Sequence, residues 1–235
     1  MSLYAMMPVY NEADRYLKHV LNHLSDFVNR IVILDDGSTD RTPKLCRSYD
    51  KVIYYRNEHR TFERNEPALR RQLWEHTVEL KPDWILAIDA DEVFEERAKV
   101  EFATLLDETE YSVVDFRLFD FWKSNKYRID CGWNPWVKNH RMLVKYDPSI
   151  TSTWSERLLH GGRFPQQYYD IPYAFQSDLR VKHFGWMDIH DRQRKYDFYI
   201  ERLPDNKHTQ SIIDPDEKVQ LEEWIPCKTL QFLSK

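Results

Sequence analysis

The sequence predicts an α/β protein with an open, twisted, mostly parallel sheet and helices on both faces. Over the first 110 residues, short apolar runs alternate with amphipathic helical patterns, which is the arrangement of repeated strand–helix units. Polar clusters follow the first, second and fourth apolar runs, at the strand ends where such sheets bind ligands. We expect a single domain over residues 1–235, with halves at 1–110 and 111–202 and a C-terminal arm at 203–235.

Each element of the first half has its own signal. Residues 3–9 form a continuous apolar run that predicts a buried strand, and apolar side chains at three- and four-residue spacing predict a helix over 17–28. A second apolar run predicts a strand at 30–34, and Pro43 marks the beginning of the next helix. The remaining predicted elements are a strand at 51–55, a helix at 68–80 and a strand at 84–88.

After residue 110 the pattern changes. Longer β-like stretches at 111–122, 140–146 and 178–186 are separated by loops, and a polar helix is predicted over 188–202. The arm at 203–235 is charged but includes apolar side chains, so we expect it to pack on the body of the protein. These side chains are Ile212, Ile213, Leu221, Trp224 and Leu230.

Composition excludes several classes of protein. Lys and Arg total 34 against 39 Asp and Glu, a net charge of -5, so there is no basic field to attract nucleic acid. The three cysteines, Cys46, Cys131 and Cys227, form no CxxC pair, which argues against a zinc site or a disulfide framework and favours a reducing compartment. No segment approaches the roughly 18 apolar residues of a membrane span. We expect a cytoplasmic protein without a transmembrane segment, with any attachment to a membrane or assembly surface being peripheral.

Three polar clusters carry the chemistry: Pro-Val-Tyr-Asn-Glu at 8–12, Asp-Asp-Gly-Ser-Thr-Asp at 35–40 and Asp-Ala-Asp-Glu at 89–92. Taken singly, the second is ordinary turn and N-cap chemistry and the third is an ordinary acidic loop. Their placement at strand ends allows one ligand to touch all three. A carboxylate there can accept a hydrogen bond from a base or ribose, and alternating carboxylates can bind a divalent cation. Together the clusters predict a metal–nucleotide site.

In this combination the clusters resemble the nucleotide-sugar-binding half of GT-A-type glycosyltransferases of family 2, closely over residues 3 to 95. The resemblance implies that residues 1–110 bind the nucleotide sugar and that residues 111–202 face the acceptor. It implies that the Pro8-Val9 backbone and Asp36 hold the nucleobase and that Asp89 lies near the ribose. The full set of implied nucleotide-binding residues is Pro8, Val9, Tyr10, Asn11, Glu12, Asp36, Arg70, Asp89 and Ala90. For Arg70, a solvated position on a helix face is the competing interpretation.

The resemblance also implies a metal. Asp91 is expected to bind Mn²⁺ or Mg²⁺ bridging the donor diphosphate, and His183, which ends an apolar strand before Gly185, is a candidate to complete the metal shell from the second half. An imidazole ligand suits Mn²⁺ better than Mg²⁺. The competing interpretation of His183 is a structural histidine among aromatic side chains.

Inverting sugar transfer requires a carboxylate that removes the proton of the acceptor hydroxyl. The candidates are Glu156, Asp188 and Asp191. Relatives in the family often carry a His-Glu pair near the first of these positions, whereas here His160 is followed by Gly161.

The function predicted on this basis is metal-dependent, inverting transfer of a sugar from a UDP- or dTDP-sugar to a glycan or another hydroxyl acceptor, as in polysaccharide biosynthesis. One alternative is a non-catalytic module that binds nucleotide sugars or glycans. Another is a haloacid-dehalogenase-type phosphatase, whose first motif resembles residues 85–93, although that motif belongs near the N-terminus of its fold. A dinucleotide-binding oxidoreductase is less favoured still, because no GxGxxG occurs among the five glycines.

Overall fold

The computed structural model describes residues 1–203 and 205–227. Its strands are β1 (Leu3–Val9), β2 (Arg30–Asp35), β3 (Val52–Arg56), β4 (Trp84–Ala87), β5 (Glu92–Phe94), β6 (Val113–Lys123), β7 (Lys126–Arg128), β8 (His140–Lys145), β9 (Phe175–His183) and β10 (Leu221–Glu223). Its α-helices are α1 (Leu17–Ser25), α2 (Thr42–Cys46), α3 (Glu66–Val78), α4 (Ala98–Glu108), α5 (Gln166–Asp170), α6 (Ile189–Ile200) and α7 (Lys207–Ser211).

The strands form one sheet in the order β10-β7-β6-β8-β4-β1-β2-β3. The first half is parallel: β1 pairs with β2 and β4, and β2 pairs with β3. The second half is mixed, because β8 runs antiparallel to β4 and β6, whereas β9 runs parallel to β6 and antiparallel to β5. The carboxyl ends of β1, β2 and β4 therefore meet at one edge of the sheet, where the polar clusters lie.

Helices cover both faces of the sheet. Alternate residues of β1, including Ala5 and Met7, pack against Leu21 and its neighbours on α1, whereas Met6 packs with Leu73 on α3. This alternation is what a strand buried on both faces requires. The predicted α/β fold class is confirmed, and the predicted strands and long helices recur within a few residues of their expected bounds.

Two elements of the first half were not predicted. β5 has only three residues, too few to show a period. Helix α4 begins at Ala98, and the side chain of its N-cap residue, Arg97, makes no capping hydrogen bond. The usual sequence signal for a helix start is therefore missing.

The C-terminal arm packs on the second half of the sheet. β10 pairs antiparallel with β7, and Ile212, just after α7, is buried in a cluster with Trp122 and Trp133. Trp224 packs against Phe119 at a ring-centroid distance of 5.2 Å. Leu230 lies outside the described residues. Among the described residues, no helix combines the length and apolar character needed to cross a bilayer.

Candidate active site

Asn11 joins the first two polar clusters. Its backbone has a positive φ of 53°, a conformation that Asn tolerates better than most residues. Its side-chain Oδ1 accepts a hydrogen bond from the Thr39 amide at 2.8 Å, and its own amide donates to Ser38 Oγ at 2.9 Å. The next amide, of Glu12, donates to Thr42 Oγ1 at 2.8 Å. These side chains therefore fix the two loops to one another.

Asp36 lies at the end of β2, buried beneath the segment 60–62. Its carboxylate accepts hydrogen bonds from the backbone amides of Thr61 and Phe62, both at 2.8 Å. The Arg60 guanidinium lies over the Tyr10 ring, 3.9 Å from its centroid. A base that pairs with Asp36 must share the carboxylate with these donors or displace the segment. The Val9 carbonyl accepts from the Asp36 amide at 2.9 Å.

Asp89 follows β4 and is held by two arginines. Arg70 Nη1 donates to Asp89 Oδ1 at 2.8 Å, and Arg163 Nη2 lies 3.4 Å from Asp89 Oδ2. Burial raises the pKa of Asp89, but the two guanidinium charges outweigh burial and lower the pKa below its usual value. Arg70 is only 6% exposed, so the interpretation as a solvated helix residue is wrong. In this structure Arg70 orients Asp89.

Arg163 forms the most buried ion pair of the site, and the sequence did not single it out. Its two terminal nitrogens contact the two carboxylate oxygens of Glu92 at 2.6 and 2.5 Å, a bidentate geometry. Glu92 Oε2 also accepts a hydrogen bond from the Asp89 backbone amide at 2.9 Å. The Glu92 side chain is 1% exposed. Arg163 thus connects the loop after residue 160 to the backbone of the Asp-Ala-Asp cluster, whose Ala90 is buried.

Asp91 and His183 face one another across β5 and β9. His183 Nε2 lies 3.5 Å from Asp91 Oδ2, and His183 Nδ1 lies 2.6 Å from Asp120 Oδ1. The Trp186 indole nitrogen donates to the same Asp120 oxygen at 2.9 Å. Burial lowers the pKa of His183, but Asp91 and Asp120 outweigh it and raise the pKa to about 10. Conversely, burial raises the pKa of Asp91, yet His183 and Lys195 bring it far below its usual value.

The residues around Asp91 fit a divalent cation. A carboxylate oxygen and an imidazole nitrogen are ligands that Mn²⁺ accepts, and the Asp120 contact with Nδ1 is the usual support for a metal-binding histidine. Gly185 allows both side chains to approach its main chain: a Cβ there would lie 2.3 Å from Asp91 Oδ2 and 2.8 Å from His183 Nε2. Within residues 1–203 and 205–227, no group of three His, Cys, Asp or Glu side chains could hold a metal, so a bound diphosphate would have to supply further ligands.

Arg15 bridges two further carboxyl groups near Asp91, those of Glu12 and Asp191. Arg15 contacts Glu12 Oε1 at 2.7 Å and Asp191 Oδ2 at 2.5 Å. Burial raises the pKa of Glu12 to about 7, although Arg15 acts in the opposite direction. The arrangement attaches α6 to the loop after β1.

The three candidate bases have different environments. Asp188 Oδ1 caps α6 by accepting from the amides of His190 and Asp191, and Asp191 is paired with Arg15 and Arg194. Glu156 is exposed and accepts no hydrogen bond from a described residue. Its loop is attached to α3, because the His160 amide donates to Glu66 Oε2 at 2.8 Å.

The fold and the order of the strands in the sheet define an α/β protein of the GT-A type. The family model "Glycosyl transferase family 2" matches residues 4–159, more than half of the sequence, and the chain belongs to that family. This membership confirms the resemblance seen in the sequence and excludes the phosphatase alternative.

Two curated relatives come from Bacillus subtilis. The SPbeta prophage-derived glycosyltransferase SunS is 26% identical over 184 residues, covering 76% of this chain and 38% of SunS. The minor teichoic acid biosynthesis protein GgaA is 27% identical over 99 residues, covering 40% of this chain and 22% of GgaA. The chain thus spans well under half the length of these relatives.

Among solved structures, S. aureus TarS 1-349 in complex with UDP-GlcNAc aligns with a TM-score of 0.59 at 15% identity, covering 90% of this chain and 70% of that chain. The corresponding complex with UDP aligns with a TM-score of 0.58 at 16% identity, over 90% and 69% of the two chains. The shared fold supports the assignment to the GT-A type.

Proposed function

We propose that this protein transfers a sugar from a nucleoside diphosphate sugar, of the UDP or dTDP type, to a hydroxyl group of a glycan or another acceptor, with inversion at the sugar carbon. The observation that carries the proposal is the meeting of Asp89, Asp91 and His183 at one edge of the sheet. Family membership and the UDP complexes of TarS agree with it. The scattered cysteines favour the cytoplasm as the place of the reaction.

On the donor side, Asp36 and the Tyr10 ring would receive the base, and Asp89 would accept from the ribose. Asp91 and His183 would hold Mn²⁺ or Mg²⁺. When bound, the cation would neutralise the diphosphate charge that grows as the sugar leaves. The paired arginines at Asp89 keep that carboxylate ionised and fixed, so that it meets a ribose hydroxyl without reorganising.

On the acceptor side, a carboxylate has to take the hydroxyl proton as the oxygen attacks the sugar carbon. Of the candidates, Glu156 has a carboxylate without a hydrogen-bond donor among the described residues, whereas Asp188 caps α6 and Asp191 is paired with Arg15. The bond between the sugar carbon and the β-phosphate oxygen breaks, and its electron pair leaves with the nucleoside diphosphate. We therefore propose Glu156 as the base, with Asp188 and Asp191 as structural residues.

The test is a thermal-shift and calorimetric screen of UDP, dTDP, GDP and their sugars, with Mn²⁺ and in EDTA. A ligand present at a concentration 100 times its dissociation constant stabilises the folded protein by about 2.7 kcal/mol. We expect pyrimidine nucleoside diphosphates to bind only when the cation is present. In Asp91→Asn, adding Mn²⁺ should no longer increase their binding. Equal binding in EDTA would contradict the role of the cation. Hydrolysis or transfer of the bound donor sugar would separate an enzyme from a non-catalytic binding module.

A further inference from the structure

Helix α6 presents three side chains at four-residue spacing to the proposed donor site. Asp191 contacts Arg15, Lys195 contacts Asp91, and the Tyr199 ring is stacked on His160 at a centroid distance of 5.4 Å. Burial, followed by the charges of Glu66, Asp89 and Asp91, raises the pKa of Tyr199 to about 12. One face of α6 therefore crosses the site from the loop after β1 to the Asp-Ala-Asp cluster.

Lys195, the central residue of this face, has an ammonium group with unused donors. Its Nζ lies 3.6 Å from Asp91 Oδ2, beyond ordinary hydrogen-bond distance, and it donates no hydrogen bond to a described residue. The side chain is 27% exposed, so it is neither free in solvent nor fully paired. An ammonium group has three N–H donors, and here all three remain available to a ligand.

The surroundings hold this ammonium group in place. It lies 4.2 Å from the centroid of the Trp186 ring, a cation–π contact. A Cβ at position 185 would come within 2.2 Å of Lys195 Nζ as well as 2.3 Å of Asp91 Oδ2. Because position 185 has no side chain, the ammonium group of Lys195 can lie against the main chain together with the Asp91 carboxylate and the His183 imidazole.

We propose that Lys195 binds the diphosphate of the donor. In the absence of nucleotide its charge balances Asp91, and when the nucleotide sugar and cation bind, its N–H groups donate to a phosphate oxygen. As the sugar–oxygen bond breaks, the electron pair passes to the β-phosphate oxygen, and the nearby ammonium stabilises that charge. This inference rests on the proposed function, and it assigns a role that Asp91 and His183 do not fill.

A purely structural role for Lys195, as the counter-ion of Asp91, gives a different expectation. A structural counter-ion would affect the stability of the fold and the binding of every nucleotide equally. If Lys195 binds the diphosphate, its replacement should weaken the binding of UDP but not that of uridine, which lacks phosphate.

The experiment measures UDP, pyrophosphate and uridine binding by calorimetry with saturating Mn²⁺, for the wild type, Lys195→Met, Lys195→Arg and the control Lys18→Met. Lys18 is exposed on α1, so its replacement removes the same charge elsewhere. We expect Lys195→Met to weaken UDP and pyrophosphate at least about tenfold, which is 1.4 kcal/mol, and to leave uridine unchanged. Lys195→Arg should recover most of the loss, and Lys18→Met should resemble the wild type.

Three results would overturn the inference. If Lys195→Met binds UDP as tightly as the wild type, or loses uridine to the same extent, Lys195 does not recognise phosphate, and the proposed function is unaffected. If the wild type itself binds no nucleoside diphosphate with any cation, the proposed function fails and this inference fails with it. Melting temperatures of all variants show whether each is folded.

Discussion

His183 Nε2 lies 3.5 Å from Asp91 Oδ2 because the two backbones are hydrogen-bonded to each other. Glu92 pairs with His183 in the antiparallel register of β5 and β9, and the Phe184 amide donates to the Asp91 carbonyl at 2.8 Å. The facing of carboxylate and imidazole is therefore set by main-chain geometry rather than by side-chain rotamers alone. If the two side chains bind a cation as proposed, this main-chain geometry would preorganise them for it.

Replacement of His183 by Ala should raise the Mn²⁺ concentration needed for half-maximal UDP binding at least about tenfold, because nitrogen ligands contribute strongly to binding of first-row metals. The effect should be smaller with Mg²⁺. Calorimetric UDP titrations at a series of cation concentrations measure it. His190→Ala, on the exposed first turn of α6, is the matched control. An unchanged Mn²⁺ requirement in the His183 variant would return this histidine to a structural role.

Gly185→Ala should abolish cation-dependent UDP binding, since its Cβ would contact Lys195, Asp91 and His183 at 2.2 to 2.8 Å. Uridine binding, which needs no diphosphate site, should persist. Gly132→Ala is the control, because the nearest atom to a Cβ there is His208 Nδ1 at 3.4 Å. If Gly185→Ala binds UDP with wild-type affinity, the space beside Asp91 is not used by the ligand.

Arg163→Met should lower the free energy of unfolding by about 3 to 5 kcal/mol, because it leaves the buried Glu92 carboxylate without its bidentate partner. Urea denaturation at pH 7 provides the measurement. The exposed Arg157→Met, on the same loop, should change the stability by less than about 0.5 kcal/mol. A loss below about 1 kcal/mol for Arg163→Met would mean that solvent or another cation replaces the guanidinium.

His23 should make the protein less stable in acid. It is 3% exposed, both ring nitrogens lack a hydrogen-bond partner among the described residues, and burial lowers its pKa to about 4. The unfolded chain, with a pKa near 6.5, binds the proton more readily, so stability is full above pH 6.5 and is lost as the pH falls towards 4. Between pH 7.5 and pH 5, protonation linked to His23 should lower the free energy of unfolding by about 2 kcal/mol.

The comparison that isolates His23 is urea denaturation of wild type and His23→Gln at both pH values. The variant cannot take up this proton, so its stability should fall by about 2 kcal/mol less than that of the wild type over the same interval. His19→Gln, exposed on the same helix, should retain the wild-type pH dependence. Parallel pH curves for wild type and His23→Gln would contradict the prediction.

The sequence predicts the parallel half of the fold well because each strand there is a continuous apolar run ended by a polar cluster. β1, β2 and β4 were found close to their predicted bounds, and the meeting of their carboxyl ends follows from parallel pairing. His183 was also a candidate in the sequence, since an apolar strand ends at it, and the structure places it beside Asp91. Its roles and those of Asp36, Asp89 and Asp91 in binding stay predictions.

Other parts of the site gave no sequence signal. Lys195 and Arg163 are basic residues in polar stretches, which are typical of solvated surface, and only the three-dimensional fold brings them to Asp91 and Glu92. Asp120 lies between Phe119 and Phe121 in β6, with no motif around it to mark it as a site residue. Arg70 was foreseen as a candidate contact, but its burial behind Asp89 depends on how α3 packs on the sheet.

The pairing of β9 with both β5 and β6 has a consequence for how the chain folds during synthesis. Until residue 183 has emerged from the ribosome, β5 lacks its neighbour, and β4 has only β1 until β8 follows. A nascent chain of the first 110 residues thus carries open strand edges, which are prone to aggregation. The second half consequently cannot be exchanged between related proteins as an independent module without replacing the strand that completes the first half.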